Sequence, residues 1–111
     1  CRKGEYLIHY DQEPDWFYIL VEGKVEVYGR DRDERMLKVC EFQAGDCVGE
    51  LEFMYGHRTV ADVRAKTDVR AARLHRQHFE LCMGPAVDLL ARSRAEDEKF
   101  DYYHERRRRE L

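Results

Sequence analysis

Only two prolines, one tryptophan and four cysteines occur in this 111-residue chain. Its apolar stretches are short, far below the roughly 20 residues that a membrane-spanning helix needs. Cys1, Cys40, Cys47 and Cys82 form no CxxC pair and no zinc-type spacing. Free thiols in a reducing compartment are therefore expected, not a disulfide framework. Neither sign of charge dominates: 20 Lys+Arg face 23 Asp+Glu, a net charge of −3. That balance argues against nucleic acid as a partner, and the acidic tail that would suit a histone-like one is missing. There is no Walker loop, no nucleophile elbow and no Ser/His/Asp order, so a catalytic set is not expected and the chain reads as a non-enzyme. His75 and His78 stand three apart without a carboxylate or further histidine at metal spacing, so metal ligation is not expected either.

What is present is 43% hydrophobic and 39% charged residues, enough for one domain with a single core and a heavily charged surface. The chain starts at Cys1 and runs almost at once into a strand, which reads as a domain excised from a longer protein. Strands are expected over 6–10, 16–21, 25–28, 36–42, 60–65 and 68–75. Glu22-Gly23-Lys24 looks like a hairpin loop, and Gly29 to Arg35 like a polar loop. Short strands at regular spacing with glycine turns indicate a mainly β fold, a jelly-roll-like β-roll of about eight strands. After His75 the period changes to helical, with Phe79, Cys82 and Met83 on one face of a short helix over 76–83. Gly84-Pro85 then breaks it. The expected plan is a roll with its first C-terminal helix over 1–83, followed by a hinge and lid helix over 84–111. Arg106 to Arg109 reads as a solvated helix end, favourable near a C-terminus.

The most informative stretch runs from Gly45 to Val63. Gly49-Glu50-Leu51 and the later Thr59-Val60-Ala61-Asp62-Val63 resemble the phosphate-binding cassette of cyclic-nucleotide-binding domains, which reads roughly Phe-Gly-Glu-Leu-Ala-Leu, then Pro-Arg-Ala-Ala-Thr-Val. Lys3 to Ile8 resembles that family's opening strand, and Asp15 to Tyr28 its second and third. Phe79 to Leu90 looks like the hinge region of protein kinase A regulatory subunits, specifically their second, C-terminal domain. Against the family pattern, an Ala has become Glu52 and the phosphate-gripping Arg has become Thr59. A cyclic monophosphate needs a cation and N–H donors to be buried. Thr59 offers a neutral hydroxyl, and Glu52 adds a second carboxylate that repels the phosphate. Arg58 sits one position away, but alternation in an extended segment turns it to the opposite face.

Glu52, Thr59 and Val60 together, with the terminal aromatic run, resemble the kinetoplastid branch of these regulatory subunits. That resemblance implies a purine nucleoside ligand in place of cyclic AMP, a protein kinase catalytic subunit as partner, and a cytoplasmic setting with a flagellar one as a variant. It implies no cofactor beyond the ligand. Carried over residue by residue, Glu50 accepts from a ribose hydroxyl, the Gly49 backbone supports the sugar beside Leu51, and Glu52 binds the 5′-OH. Thr59 and Val60 fill the vacated space. An aromatic of the C-terminal helix caps the purine by stacking, worth about 1–3 kcal/mol per base. Tyr102 is the first choice, with Tyr103 and Phe100 behind it. Whether inosine, guanosine or adenosine is preferred is not legible. Two other readings stand beside this one: a cyclic AMP receptor that uses Arg58, and a ligand-free scaffold with a degenerate cassette.

Overall fold

The structure, a computed structural model, describes residues 1–75, 77–78 and 98–110, with the side chains of Phe53, Met54 and residues 107–110 left aside. Seven strands are present among them: β1 (Tyr6–Ile8), β2 (Trp16–Glu22), β3 (Lys24–Arg30), β4 (Met36–Gln43), β5 (Cys47–Val48), β6 (Asp62–Ala65) and β7 (Arg70–His75). A short helix α1 (Glu50–Tyr55) interrupts the strands, and a single 3-10 turn (Glu98–Phe100) leads into helix α2 (Asp101–Glu110). Two sheets face each other, in the orders β1-β6-β3-β4 and β5-β2-β7. The fold is the expected mainly β roll with a C-terminal helix. The helix expected over 76–83 and the Gly84-Pro85 hinge lie outside the described residues, apart from 77–78.

The core sits between the sheets and follows the period-two pattern of β3, where Val25, Val27 and Gly29 point inward. Leu20 and Val25 are almost wholly sealed, at 1% and 0% exposure, and Phe42, Val48, Val63 and Ala65 close around them. Fully burying one such aliphatic side chain stabilises by about 1.5–3 kcal/mol.

Where the elements differ from the sequence expectation, a specific backbone bond decides. The expected hairpin at Glu22-Gly23-Lys24 is not one, because β2 pairs with β5 and β7 while β3 pairs with β4 and β6. Gly23 carries the chain from one sheet to the other, and Lys66 and Thr67 donate their N–H groups to the Lys24 carbonyl beside it. Strand β1 ends at Ile8, two residues early. The next segment is claimed by Thr59, whose hydroxyl donates to the His9 carbonyl at 2.6 Å and accepts from the Gln12 N–H at 2.8 Å. Strand β6 begins only at Asp62, because the Val60 carbonyl accepts from the Tyr102 hydroxyl. Strand β3 continues through Gly29 and Arg30, which were expected in a loop, and pairs with Met36 and Leu37.

Gly23 has φ +94°, and a Cβ there would collide with the Asp68 carbonyl and stand 3.0 Å from Thr67 Oγ1. Strain and collision act together at that site. Gly23→Ala is expected to lower stability by about 2 kcal/mol, read as a drop of several degrees in the thermal midpoint. An unchanged midpoint would show that the crossover is not tightly packed.

Candidate functional site

A half-open cavity lies between the inner face of the roll, α1 and the start of α2. Its apolar wall comes from β3, β4 and the start of β6, with Val27, Val39, Phe42 and Val63 among the lining residues. Gly49, Glu50, Leu51, Glu52 and Val60 form its polar end, and Lys99, Phe100, Tyr102 and Tyr103 form the side made by the C-terminal helix. Eight of the nine residues singled out in the sequence, Phe100 included, therefore meet around one space. Thr59 is the exception and does not line it.

Gly49 precedes α1 with φ 89°, a left-handed value that suits glycine, and a Cβ there would stand 3.1 Å from Ile8 Cδ1. This turn directs the first turn of α1 into the cavity. Glu50 is buried at 4% exposure, and Leu51 packs with Val60 and Tyr103 in a small second cluster. The Glu52 carboxyl is pushed up to about 7, first by burial, which disfavours the charged form, and then by the neighbouring Glu50. Its own N–H and that of Val60 act the other way by bonding to the carboxylate. The Glu52 carboxyl at this end of the cavity is thus poised to titrate near neutral pH.

Arg58 is turned outward. Its Nε donates to Asp11 Oδ1 at 2.7 Å and its Nη1 to Glu13 Oε1 at 3.0 Å, and Nη2 reaches the Asp11 carbonyl. These three bonds tie Arg58 to the loop after β1 and keep it out of the cavity lining. Thr59 was expected to fill space left by the missing Arg. Its hydroxyl is instead committed on both sides to the backbone of residues 9 and 12. Both placements follow from alternation along an extended segment combined with a loop that needs partners.

The aromatic residues are docked by their hydroxyls. Tyr102 donates to the Val60 carbonyl at 2.9 Å and accepts from the Arg30 N–H at 2.8 Å. Tyr103 donates to the Leu51 carbonyl at 3.2 Å and meets His57 Nε2, while its ring stacks on those of His57 and Tyr55. Phe100 lies against Phe42 with ring centroids 5.8 Å apart, and the Lys99 ammonium sits 5.1 Å above the same Phe42 ring. Arg106, expected in solvent, is 3% exposed and donates from Nη2 to the Tyr10 hydroxyl at 2.9 Å. Burial wins there because the Tyr10 ring offers a π face to Arg106 and to Arg30, which itself pairs with Asp62 at 2.8 Å. Sequence reasoning missed Gly29 and Tyr10. A glycine inside an alternating strand was the available signal for the first, since it marks a close approach. For Tyr10 no signal was available.

Among the described residues no cluster of His, Cys, Asp or Glu has the arrangement of a metal site, and no helix is long and apolar enough to cross a membrane.

The profile of the cyclic nucleotide-binding domain matches residues 1–84, and the chain belongs to that family. The chain is 52% identical to the regulatory subunit of a cAMP-independent protein kinase A from Trypanosoma cruzi bound to guanosine. That superposition has a TM-score of 0.91 and covers 97% of this chain and 38% of that one. It is 47% identical, with a TM-score of 0.90, to the Trypanosoma brucei counterpart, over 96% of this chain and 39% of that one. The T. brucei protein is a triple mutant, with a Glu, the Thr seven positions on and the next Val changed to Ala, Arg and Ala, bound to cAMP in its A site. A cAMP-dependent protein kinase regulatory subunit of Emericella nidulans is 34% identical over 90 residues, 81% of this chain and 21% of that protein. The chain thus spans about a fifth of the length of such curated relatives.

A Glu whose folded value is raised binds its proton more tightly in the folded state. Stability from Glu52 is therefore undiminished below about pH 4.5, falls as pH rises, and reaches its full penalty above about pH 7. Glu52→Gln is expected to raise stability by about 1–2 kcal/mol at pH 8 and to change it little at pH 5. Denaturant unfolding of both proteins at the two pH values checks this. Equal effects at both would mean that Glu52 titrates normally.

Proposed function

We propose that this chain is the ligand-sensing module of a protein kinase A regulatory subunit and that its cavity takes a purine nucleoside instead of cyclic AMP. The observation that carries the reading is the charge of the cavity's polar end, where Glu50 and Glu52 stand together and Arg58 is bonded away on the surface. Two like charges 5 Å apart at an effective dielectric near 20 repel by about 3 kcal/mol, more than a hundredfold in affinity. A phosphate meets that penalty in full where Glu52 is ionised, above about pH 7, whereas a 5′-hydroxyl donates a hydrogen bond to the carboxylate and favours its charged form. A site that expects a hydroxyl donor also discriminates against ligands lacking one.

Within this reading Glu50 accepts from the ribose, Glu52 takes the 5′-OH, the Gly49 peptide and Leu51 border the sugar, and Val60 lines the space beside Glu52. Tyr103 and Phe100 present rings toward the base. Tyr102 borders it too, although its hydroxyl is engaged with backbone on both sides. Thr59 acts through the loop after β1, not through the ligand. The guanosine of the T. cruzi relative supports the ligand class. So does the T. brucei triple mutant bound to cAMP in its A site, because Glu52, Thr59 and Val60 repeat the residue types and spacing that are changed there. The partner inferred from these relatives is a kinase catalytic subunit, in the cytoplasm, which the unliganded module helps to restrain. The domain itself performs no chemistry.

Thermal unfolding with guanosine or cyclic AMP in excess tests the ligand class. At 100 times its dissociation constant a ligand adds about 2.7 kcal/mol, a shift of several degrees. Guanosine is expected to stabilise the native chain and cyclic AMP to leave it unchanged. The combined variant Glu52→Ala, Thr59→Arg, Val60→Ala is expected to reverse that order. Stabilisation of the native chain by cyclic AMP would overturn the reading, and no shift with any nucleoside would favour a ligand-free scaffold.

A further inference from the structure

A second groove lies between the loop after β1 and the start of β2. Leu7, Ile8 and Pro14 give it apolar lining, and Trp16 and Tyr18 of β2 give it aromatic lining. Glu13 and Asp15 also border it, and among the described lining residues these two carboxylates are the only charged groups. The groove shares Ile8 and Gly49 with the cavity described above but contains neither Glu50 nor Glu52.

Its shape is set by bonds within the domain. The Gln12 N–H donates to Thr59 Oγ1 at 2.8 Å, and the Thr59 N–H donates to the Gln12 carbonyl at 2.9 Å. The Asp15 N–H donates to the Glu13 carbonyl at 3.0 Å around the buried Pro14. Trp16 is 37% exposed, yet its ring is oriented by the Arg73 guanidinium, 4.3 Å from the centroid, and by a T-shaped contact with His75. Arg73 itself does not line the groove. Arg58 Nη1 meets one oxygen of Glu13 at 3.0 Å, while Asp15 enters no ion pair among the described residues.

Such a lining suits a flat cation carried on an apolar stem. An arginine side chain has both parts: its guanidinium stacks on aromatic rings and bonds to carboxylates, and its methylenes cover apolar surface. We propose that this groove is a docking site for an arginine side chain on a basic segment of a partner protein. The guanidinium lies against Trp16 and bonds to Asp15 and Glu13, with the stem on Leu7 and Pro14. Charge complementarity selects the occupant, since an anion meets two carboxylates and an uncharged side chain leaves them without a partner. The contact of Arg73 with Trp16 is the same chemistry within the domain.

Trp16 is the one tryptophan of the chain, so its emission reports on this groove. The probe is an acetylated, amidated hexapeptide of alternating Arg and Gly, titrated into the 111-residue chain. A saturable change in emission is expected. The citrulline version, which keeps the shape and removes the charge, should produce none, and the lysine version should bind at least about threefold more weakly. Glu13→Gln with Asp15→Asn, both at exposed positions, is expected to weaken binding about tenfold. Asp33→Asn with Glu34→Gln removes the same charge from the loop between β3 and β4 and should change binding less than about twofold. Trp16→Leu, followed by the amide shifts of residues 12–18, should weaken it about threefold. No saturable change with the arginine peptide, equal binding of the citrulline peptide, or an equal loss for the pair outside the groove would overturn the proposal. Equal binding of the lysine peptide would overturn its assignment to arginine. None of these outcomes depends on whether the cavity takes a nucleoside.

Discussion

The Glu52 carboxyl, set in the first turn of a six-residue helix at the polar end of the cavity, is the constraint on which the remaining features depend. A carboxylate placed in a partly dry cavity is costly unless it is bonded. Here it is bonded to backbone and also repelled by Glu50, which leaves it close to neutrality in the empty cavity. A ligand that donates a hydrogen bond relieves this tension, and one that brings negative charge increases it. The same residue that makes the empty domain less stable at alkaline pH therefore selects what enters it.

Among the described residues, several cations and hydroxyls near that carboxyl are bonded to other groups. Arg58 is bound to Asp11 and Glu13, Arg30 to Asp62, and Arg106 to Tyr10. Lys99 stands over Phe42. Thr59 holds the loop after β1 by both of its hydroxyl's bonds. The helix α2 closes one side of the cavity through hydroxyls that end on backbone atoms of the roll.

Much of this was legible in the chain because period-two patterns and a local glycine motif are properties of neighbouring residues. The roll and the outward turn of Arg58 follow from alternation and spacing, and the cassette was legible through its resemblance to a known family. What was not legible depends on contacts between residues far apart in sequence. The crossover at Gly23 looked like a hairpin, since a glycine between two apolar runs does not reveal which sheet each run joins. Gly29 and Tyr102 are 73 positions apart, and nothing near either one announces the other. Arg106 looked like part of a solvated basic run, and its contact with Tyr10, far off in sequence, was not visible there. Thr59 was correctly seen as a residue that cannot hold a phosphate, but its task in the loop required knowing where His9 and Gln12 turn.

Nuclear magnetic resonance titration of the Glu52 side-chain carboxyl, with and without guanosine, addresses the central claim most directly. The free domain should titrate near 7. Bound guanosine should move that midpoint clearly downward, because a hydroxyl donating to the carboxylate favours the charged form. A midpoint near the ordinary 4.5 that guanosine leaves unmoved would contradict the assignment of Glu52 as the group that replaces the phosphate contact.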